Sequence, residues 1–433
     1  MTDLVILGAG LSGLSTAMHA GQDYLVLERE GRPGGLTRTE DIDGFLFNHT
    51  GHWLHLRDDR VKRLVADLLP GGMATVQRRA VVYTHRTFQR YPFQGNLYGL
   101  PQQVLRECLQ GAVEAAVRRA GKTGSKPRNF LEYARLHFGE GIARHFIVPY
   151  NTKLWGVSPA EVTAEWTQRF VPVPDIAQIV DGALGLSREA MGYNASFLYP
   201  SAGGIEALPR AMFDRLDRER FLFNTRPRAL HTAERWLDVG EGREHYRHLV
   251  SSIPLPELVR LTLDAPPAIR KAAERLRCSR LRYVNVGLSV ERPLDGAHWI
   301  YLPEERFPFY RVGSASNAVP GLAPAGKSSL YVEISNTSSA TEGEVVRALA
   351  DFLKEIGTID HESQVSFAAF REHPYGYVIY DRHCARARDA ILGFFAGRGV
   401  LSIGRYGAWT YNSMEDAILD GVRAADQIRE GGA

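Results

Sequence analysis

Gly8, Gly10 and Gly13 stand at GxGxxG spacing, directly after the apolar run Leu4–Leu7 and at the opening of a helical pattern, Ser12–Ala20. The first glycine of such a turn permits a tight bend, the second lets backbone approach a pyrophosphate, and the third lets helix pack closely on strand. Leu11 and Ser12 then form the helix start on which the phosphates would sit. A second apolar strand, Tyr24–Leu27, ends at Glu28, with Arg29 beside it. The acid is placed to accept a hydrogen bond from a ribose hydroxyl. Strand, helix, strand and acid thus fall in the order of a dinucleotide-binding βαβ unit. Nothing in the chain reads as a Cys–His or Ser–His–Asp arrangement. His52 and His55 are neither spaced nor accompanied like zinc ligands, so no metal is expected.

The elements that position these residues can be read coarsely. With 433 residues the chain exceeds one ordinary core, so two or three packed subdomains are expected. Hydrophobic residues are 44%, charged residues 23% and the net charge is +3, ordinary for a globular protein and without the basic runs of a nucleic-acid binder. Helical patterns run over Pro101–Ala120, onward through Phe146, and again over Pro174–Met191, giving a mostly helical insert. Alternation predicts strands over Tyr283–Val290, His298–Tyr301, Phe309–Val312, Ser328–Ile334 and Val365–Phe370, an antiparallel sheet with an amphipathic helix at Glu342–Ile356. Strand Val400–Ile403 and helix Met414–Ile428 close the chain. Cys108, Cys278 and Cys384 form no CxxC pair, which predicts no disulfide framework and a cytoplasmic location. The apolar start, Met1–Ala20, has Asp3 where a signal peptide carries positive charge, and glycines interrupt it, so a strand and turn are expected there. No uncharged stretch is long enough to span a bilayer, and no membrane partner is expected.

FAD rather than NAD is indicated by Arg32-Pro33-Gly34-Gly35-Leu36-Thr37, which follows Glu28 closely. Paired glycines bring more amides to the cofactor, and Arg32 or Arg38 can balance phosphate charge. This arrangement resembles the flavoproteins that include amine oxidases, protoporphyrinogen oxidases and UDP-galactopyranose mutases. The segment Gly404–Asp416 also resembles that family, where a strand and helix start bring Gly404, Arg405 and the amides near Met414 to the flavin.

The middle of the chain narrows the resemblance to the UDP-galactopyranose mutase family. Its marks are Tyr91-Pro92-Phe93-Gln94, Pro149-Tyr150-Asn151-Thr152-Lys153-Leu154-Trp155, Asn194-Ala195-Ser196-Phe197, Trp299–Arg311 and Gly404–Tyr411, in the family's order. The implied fold is α/β: a Rossmann-like, GR2-type FAD-binding domain from 1–55, 203–277 and 381–433, a helical domain over 99–190, and an antiparallel sheet substrate domain from 56–98, 191–202 and 278–380. The implied activity is a pyranose–furanose interconversion of an NDP-hexose, UDP-galactose-like or a GDP-hexose, by attack of reduced FAD N5 on the anomeric carbon, with NADH or NADPH as reductant.

A diphosphate needs cations that grip two oxygens at once, which arginine does better than lysine. The resemblance assigns that work to Arg311 and Arg169, with Arg405 near flavin and substrate. Tyr91, Phe93, Gln94 and Tyr301 match residues around the base, Tyr377 and Tyr411 residues near diphosphate and sugar, and Asn151, Trp155 and Asn194 the sugar pocket. Gly51-His52 resembles a GGH turn facing the flavin, with Thr50 in place of its first glycine and His52 able to tune flavin charge. The alternative is an FAD-dependent oxidase of the protoporphyrinogen or amine oxidase type.

Overall fold

The computed structural model describes residues 2–21, 23–121, 126–167, 171–187, 195–240 and 242–431. Its first sheet is built on β1 (Thr2–Leu7). Parallel neighbours of β1 are β2 (Tyr24–Leu27) and β12 (Arg243–Ser251). Outward from β2 comes β9 (Phe221–Leu222), and β18 (Val400–Ser402) pairs parallel with β12. The antiparallel strands β10 (Ala229–His231) and β11 (Trp236–Asp238) continue the sheet beyond β12. Strand period two sends Leu4 and Ile6 to one face and Val5 and Leu7 to the other, and both faces are covered. On one side lie α1 (Leu11–His19), α2 (Asp59–Leu68) and the final helix Met414–Gly431. On the other lie the helices Leu255–Leu261 and Cys384–Ala396. The 56–98 stretch therefore does not go wholly with the antiparallel sheet as expected. Its α2 buries Val61, Val65 and Leu68 against the first sheet, because its apolar stripe matches that helix layer.

The second sheet runs β17 (Val365–His373), β13 (Leu281–Leu288), β16 (Ser328–Ile334), β15 (Phe309–Gly313), β14 (Trp299–Tyr301), β6 (Ala80–Thr84), β7 (Thr87–Arg90). All pairs are antiparallel except β14 with β6. One face is apolar: Val284, Val286, Val312 and Val332 pack under the helix Glu342–Glu355. A Thr341–Glu344 capping box starts that helix, and burial of Val345, Leu349, Phe352 and Leu353 holds it, at about 1.5–3 kcal/mol for a large side chain. The opposite face carries Arg311, Glu333, Tyr331 and Tyr283. Two short pairs complete the strands, β3 (Thr39–Ile42) with β4 (Phe45–Asn48), and β5 (Met73–Gln77) with β8 (Ser196–Pro200).

The helical insert holds α3 (Gln102–Ala120), α4 (Phe130–Ile142) and α5 (Val148–Trp155), with one π-helical turn, Ala143–Ile147, between the last two. α3 and α4 meet where Gly111 and Gly141 face each other; a Cβ on Gly141 would overlap the backbone of Glu107. The expected helix over Pro174–Met191 is present as Ile176–Ala183, and residues 188–194 lie outside the described set.

One buried cation ties insert to sheet. Lys153 is 4% exposed, and its Nζ donates to the carbonyls of Leu302 at 2.8 Å and Glu304 at 2.9 Å. Burial pulls its pKa down to about 7, against the pull of Glu304 and Glu305. We expect Lys153→Met to take the Nζ donor from the Leu302 carbonyl, to leave the Glu304 carbonyl with Phe307 N–H alone, and to lower stability by about 1–3 kcal/mol in urea unfolding. An unchanged midpoint would show that the tie carries no load.

Candidate functional site

β1 delivers the chain to Gly8, whose φ of 98° is open only to glycine at low cost, and Gly8 N–H donates to Leu27 O at 2.8 Å. α1 then starts behind Gly10 with no side-chain cap, so its first-turn amides have neither an intrahelical nor a capping acceptor. A Cβ on Gly13 would overlap the carbonyl oxygen of Gly8, so Gly13 is the packing glycine and stands behind the turn. Gly10 looks across at Gly35, whose Cα lies 3.9 Å from where a Gly10 Cβ would be. A Cβ on either strand of this gap would fill it.

These elements line one end of a 660 Å³ channel through Gly8, Gly10, Leu11, Ser12, Glu28, Arg29, Gly34, Gly35 and Leu36. The bare helix start and facing glycines fit the pyrophosphate of FAD. Glu28 also braces the turn itself, accepting from Ala9 N–H at 2.7 Å and Glu30 N–H at 3.0 Å. Of the two arginines expected to balance phosphate, Arg38 lines the channel, while Arg32 is turned to Glu206 and the Thr39 carbonyl.

Past the cradle, the turn after β4 brings Thr50, Gly51 and His52 to the channel wall, opposite Gly404, Arg405 and Met414. Thr50 holds a φ of 67°. A β-branched residue pays about 1–2 kcal/mol of strain in that region, so this turn keeps the glycine conformation without the glycine. His52 Nδ1 is buried with no hydrogen-bond partner among the described residues. Burial first, then the charges of Arg405 and Arg311, push its pKa down to about 4. His52 therefore enters the site neutral, and any tuning of flavin charge by it is through its dipole.

At the far end, Tyr91, Gln94, Asn151, Trp155, Tyr301, Tyr377 and Tyr411 all line the channel, with Arg311 and Arg405. Tyr91 and Tyr301 lie 5.0 Å apart. Gln94 is 2% exposed; its Nε2 donates to Pro172 O at 2.8 Å, and its Oε1 has no partner among the described residues. Trp155 meets Phe130 and Trp166 edge-on. Tyr377 and Tyr411 stack at 5.8 Å with the Arg405 guanidinium over both rings. Burial pushes the Tyr301 and Tyr377 phenols up, which keeps them protonated donors.

Arg311 does not stand alone: its Nε donates to Glu333 Oε2 at 3.0 Å and its Nη2 to Glu333 Oε1. Burial works hardest against its charge, but Glu333 together with the phenols of Tyr377, Tyr331 and Tyr150 outweighs it, and the pKa lies well above the usual arginine value.

One expected base contact is corrected. Phe93 is fully buried, away from the channel, and stacks at 5.1 Å on Phe146, which does line it. An apolar ring flanked by Leu97 and Phe146 gains more from core burial than from a channel wall. Arg169 and Asn194 lie outside the described residues. The sequence reading passed over Tyr150, although it sits inside the 149–155 block; it is edge-on to Tyr301 at 5.2 Å. Trp53 and Trp299, stacked at 5.9 Å, and His373 also line the wall. Glu333 had one available signal, a lone acid in the otherwise uncharged strand SSLYVEI. Among the described residues no group of three His, Cys, Asp or Glu could hold a metal ion, and no helix is long and apolar enough to cross a membrane.

A family model described as flavin containing amine oxidoreductase matches residues 11–429. Among solved structures, a reduced UDP-galactopyranose mutase superposes with a TM-score of 0.93 at 26% identity, covering 100% of this chain and 94% of that one. Cyclohexylamine oxidase from Brevibacterium oxydans gives 0.75 at 17% identity, with 99% of each chain covered. Putrescine oxidase bound to putrescine gives 0.69 at 16%, again over 99% of each chain. The last two speak to the fold alone.

Three histidines around this region are held neutral: burial takes His49 to about 3, and His52 and His298 to about 4. An unfolded histidine titrates near 6.5, so below that pH the unfolded chain binds protons the folded chain refuses. Stability is full above pH 6.5 and falls as pH drops toward 4. His298 Nδ1 accepts from Arg79 N–H at 3.1 Å, a role asparagine can take. His298→Asn should therefore flatten the stability–pH slope over that window by at most about 1.4 kcal/mol per pH unit, one proton's share. A slope identical to wild type would contradict the assignment.

Proposed function

The chain belongs to the flavin-containing amine oxidoreductase family, and from that premise we propose that it is a nucleotide-sugar mutase, an isomerase interconverting pyranose and furanose forms of a UDP-galactose-like or GDP-linked hexose. The observation that carries the reading is the pair Arg311 and Arg405 facing the channel beyond the flavin cradle, among phenols kept protonated. A cationic, donor-rich end suits a diphosphate and repels the ammonium group that an amine oxidase must admit.

When bound and reduced, with NADH or NADPH as the proposed reductant, FAD would supply the nucleophile for the anomeric carbon. The chain's own residues supply position and charge. Arg405 and Arg311 hold the diphosphate as the sugar–phosphate bond breaks and keep it within reach for the return step, so recombination is effectively unimolecular. Tyr377 and Tyr411 present hydroxyls to the same group. Asn151 and Trp155 close the side where the sugar would lie. Tyr91 and Tyr301 offer ring faces to the base, and Gln94 Oε1, which has no partner among the described residues, would accept from a base N–H, which both uracil and guanine carry.

Incubation of dithionite-reduced enzyme with UDP-galactopyranose and, separately, GDP-hexopyranoses should yield furanose product, and the oxidised enzyme none. Oxygen consumption with an amine or porphyrinogen and no furanose from any NDP-hexose would replace this reading with the oxidase one. Arg311→Ala should cut turnover about tenfold to a thousandfold, as loss of one preorganised charge contact does; wild-type rates would remove Arg311 from the site.

A further inference from the structure

Two arginines reach the far end of the channel, and their electrostatic situations differ. Arg311 and Glu333 are register partners across β15 and β16. Glu333 is fully buried, and its two carboxylate oxygens take the Nε and Nη2 hydrogens of Arg311 in a fork. A carboxylate and a guanidinium in bidentate contact sum to zero charge. They also fix the guanidinium plane, because rotation would break both bonds and strand a buried carboxylate. Two of the five N–H donors are consumed, and the remaining ones belong to a group whose direction is set by a β-strand. Arg405 has no carboxylate partner among the described residues. Its Nη1 donates to the Asn412 carbonyl at 3.2 Å, and the rings of Tyr411, Tyr377 and Tyr406 lie 4.6, 5.4 and 5.8 Å from its guanidinium carbon. Ring faces brace a cation without neutralising it.

We propose, resting on the nucleotide-sugar reading, that Glu333 is a positioning residue that makes Arg311 a charge-neutral donor of fixed direction to the substrate diphosphate, while Arg405 is the cation that balances its charge. This division suits a group that must leave and return. A second uncompensated cation would tighten binding at every stage and raise no rate, whereas a directional donor can favour the geometry in which the bond breaks.

The test compares UDP binding to oxidised holoenzyme, by calorimetry, with turnover of the reduced holoenzyme on UDP-galactopyranose. In Glu333→Gln the carboxylate charge is lost and Arg311 becomes a free cation. UDP affinity should hold or rise and depend more steeply on salt, while kcat falls about 10- to 100-fold, the cost of a misplaced contact. The double variant Arg311→Ala/Glu333→Gln should turn over no worse than Arg311→Ala alone. Arg405→Ala should instead lose UDP affinity at least about tenfold, an ordinary loss for a charged contact. Wild-type kcat in Glu333→Gln overturns the proposal. A proportional loss of binding and kcat does so too, since a merely structural role would give that. If Glu333→Gln fails to retain flavin, Glu333→Asp keeps the charge but shortens the reach; near-normal UDP affinity with reduced kcat is expected, and full kcat overturns the proposal. If wild type binds neither UDP nor GDP, the substrate reading itself falls and this proposal with it. If wild type binds and turns over, only the Glu333 assignment is at stake.

Discussion

Direct approach of backbone to backbone around α1 is the constraint on which the rest of the molecule depends. A pyrophosphate can lie against a helix start only if no side chain stands between, and the helix can sit there only if it packs tightly on the strand before it. Gly13 meets the second condition against Gly8. The other side of α1 is closed by the last helix of the chain, where a Cβ on Gly421 would overlap the backbone of Ser12 and where Ser15 Oγ donates to Ile418 O at 2.7 Å. Ser15 and Ile418, 403 positions apart, thus share one helix–helix contact, which also carries Met414 and Arg405 to the channel wall. The cofactor cradle and the far end of the site are held in register by the same packing.

Charge, in turn, is arranged by burial. Protons are kept off His52 by burial and the nearby arginines, so the turn beside the flavin cradle adds no cation. Glu333 cancels Arg311, and the three rings around Arg405 leave its charge intact. At the far end Arg405 keeps its charge beside a wall that includes Tyr91, Tyr150, Tyr301 and Trp299, whose low dielectric strengthens its field there.

What the sequence made legible follows physical lines. Local steric demands write themselves into residue type, so the glycine turn, Glu28 and the first βαβ unit were readable from spacing alone. Alternation announced the second sheet, with strand ends either matching or displaced by up to three residues. Of the residues that the family blocks singled out, Tyr91, Gln94, Asn151, Trp155 and Tyr301 line the channel. The blocks misplaced Phe93, because a motif fixes which residues travel together and not which face of a short 3-10 turn each side chain takes. The pairing of Glu333 with Arg311 and the packing of α2 were not legible, since both depend on which partner a strand or helix meets across the fold. The β3–β4 and β5–β8 pairs escaped for the same reason, being too short to carry a period of their own.

The same scaffold can host oxidases of amines, as the likeness to cyclohexylamine oxidase and putrescine oxidase indicates at the level of fold. What separates one chemistry from another on such a scaffold must then lie in the walls beyond the cofactor cradle. An amine approaching this channel would meet Arg405, which has no carboxylate partner among the described residues, and at about 4 Å two like charges in a partly buried setting repel by roughly 4 kcal/mol. A diphosphate reverses that sign, and each of the two arginines can then contribute in its own way, one through charge and one through direction. On the proposed reading, the charge at the far end, set by a few side chains on β15, β16 and the turn at Gly404, would select the substrate class while the flavin-binding half of the molecule stays the same.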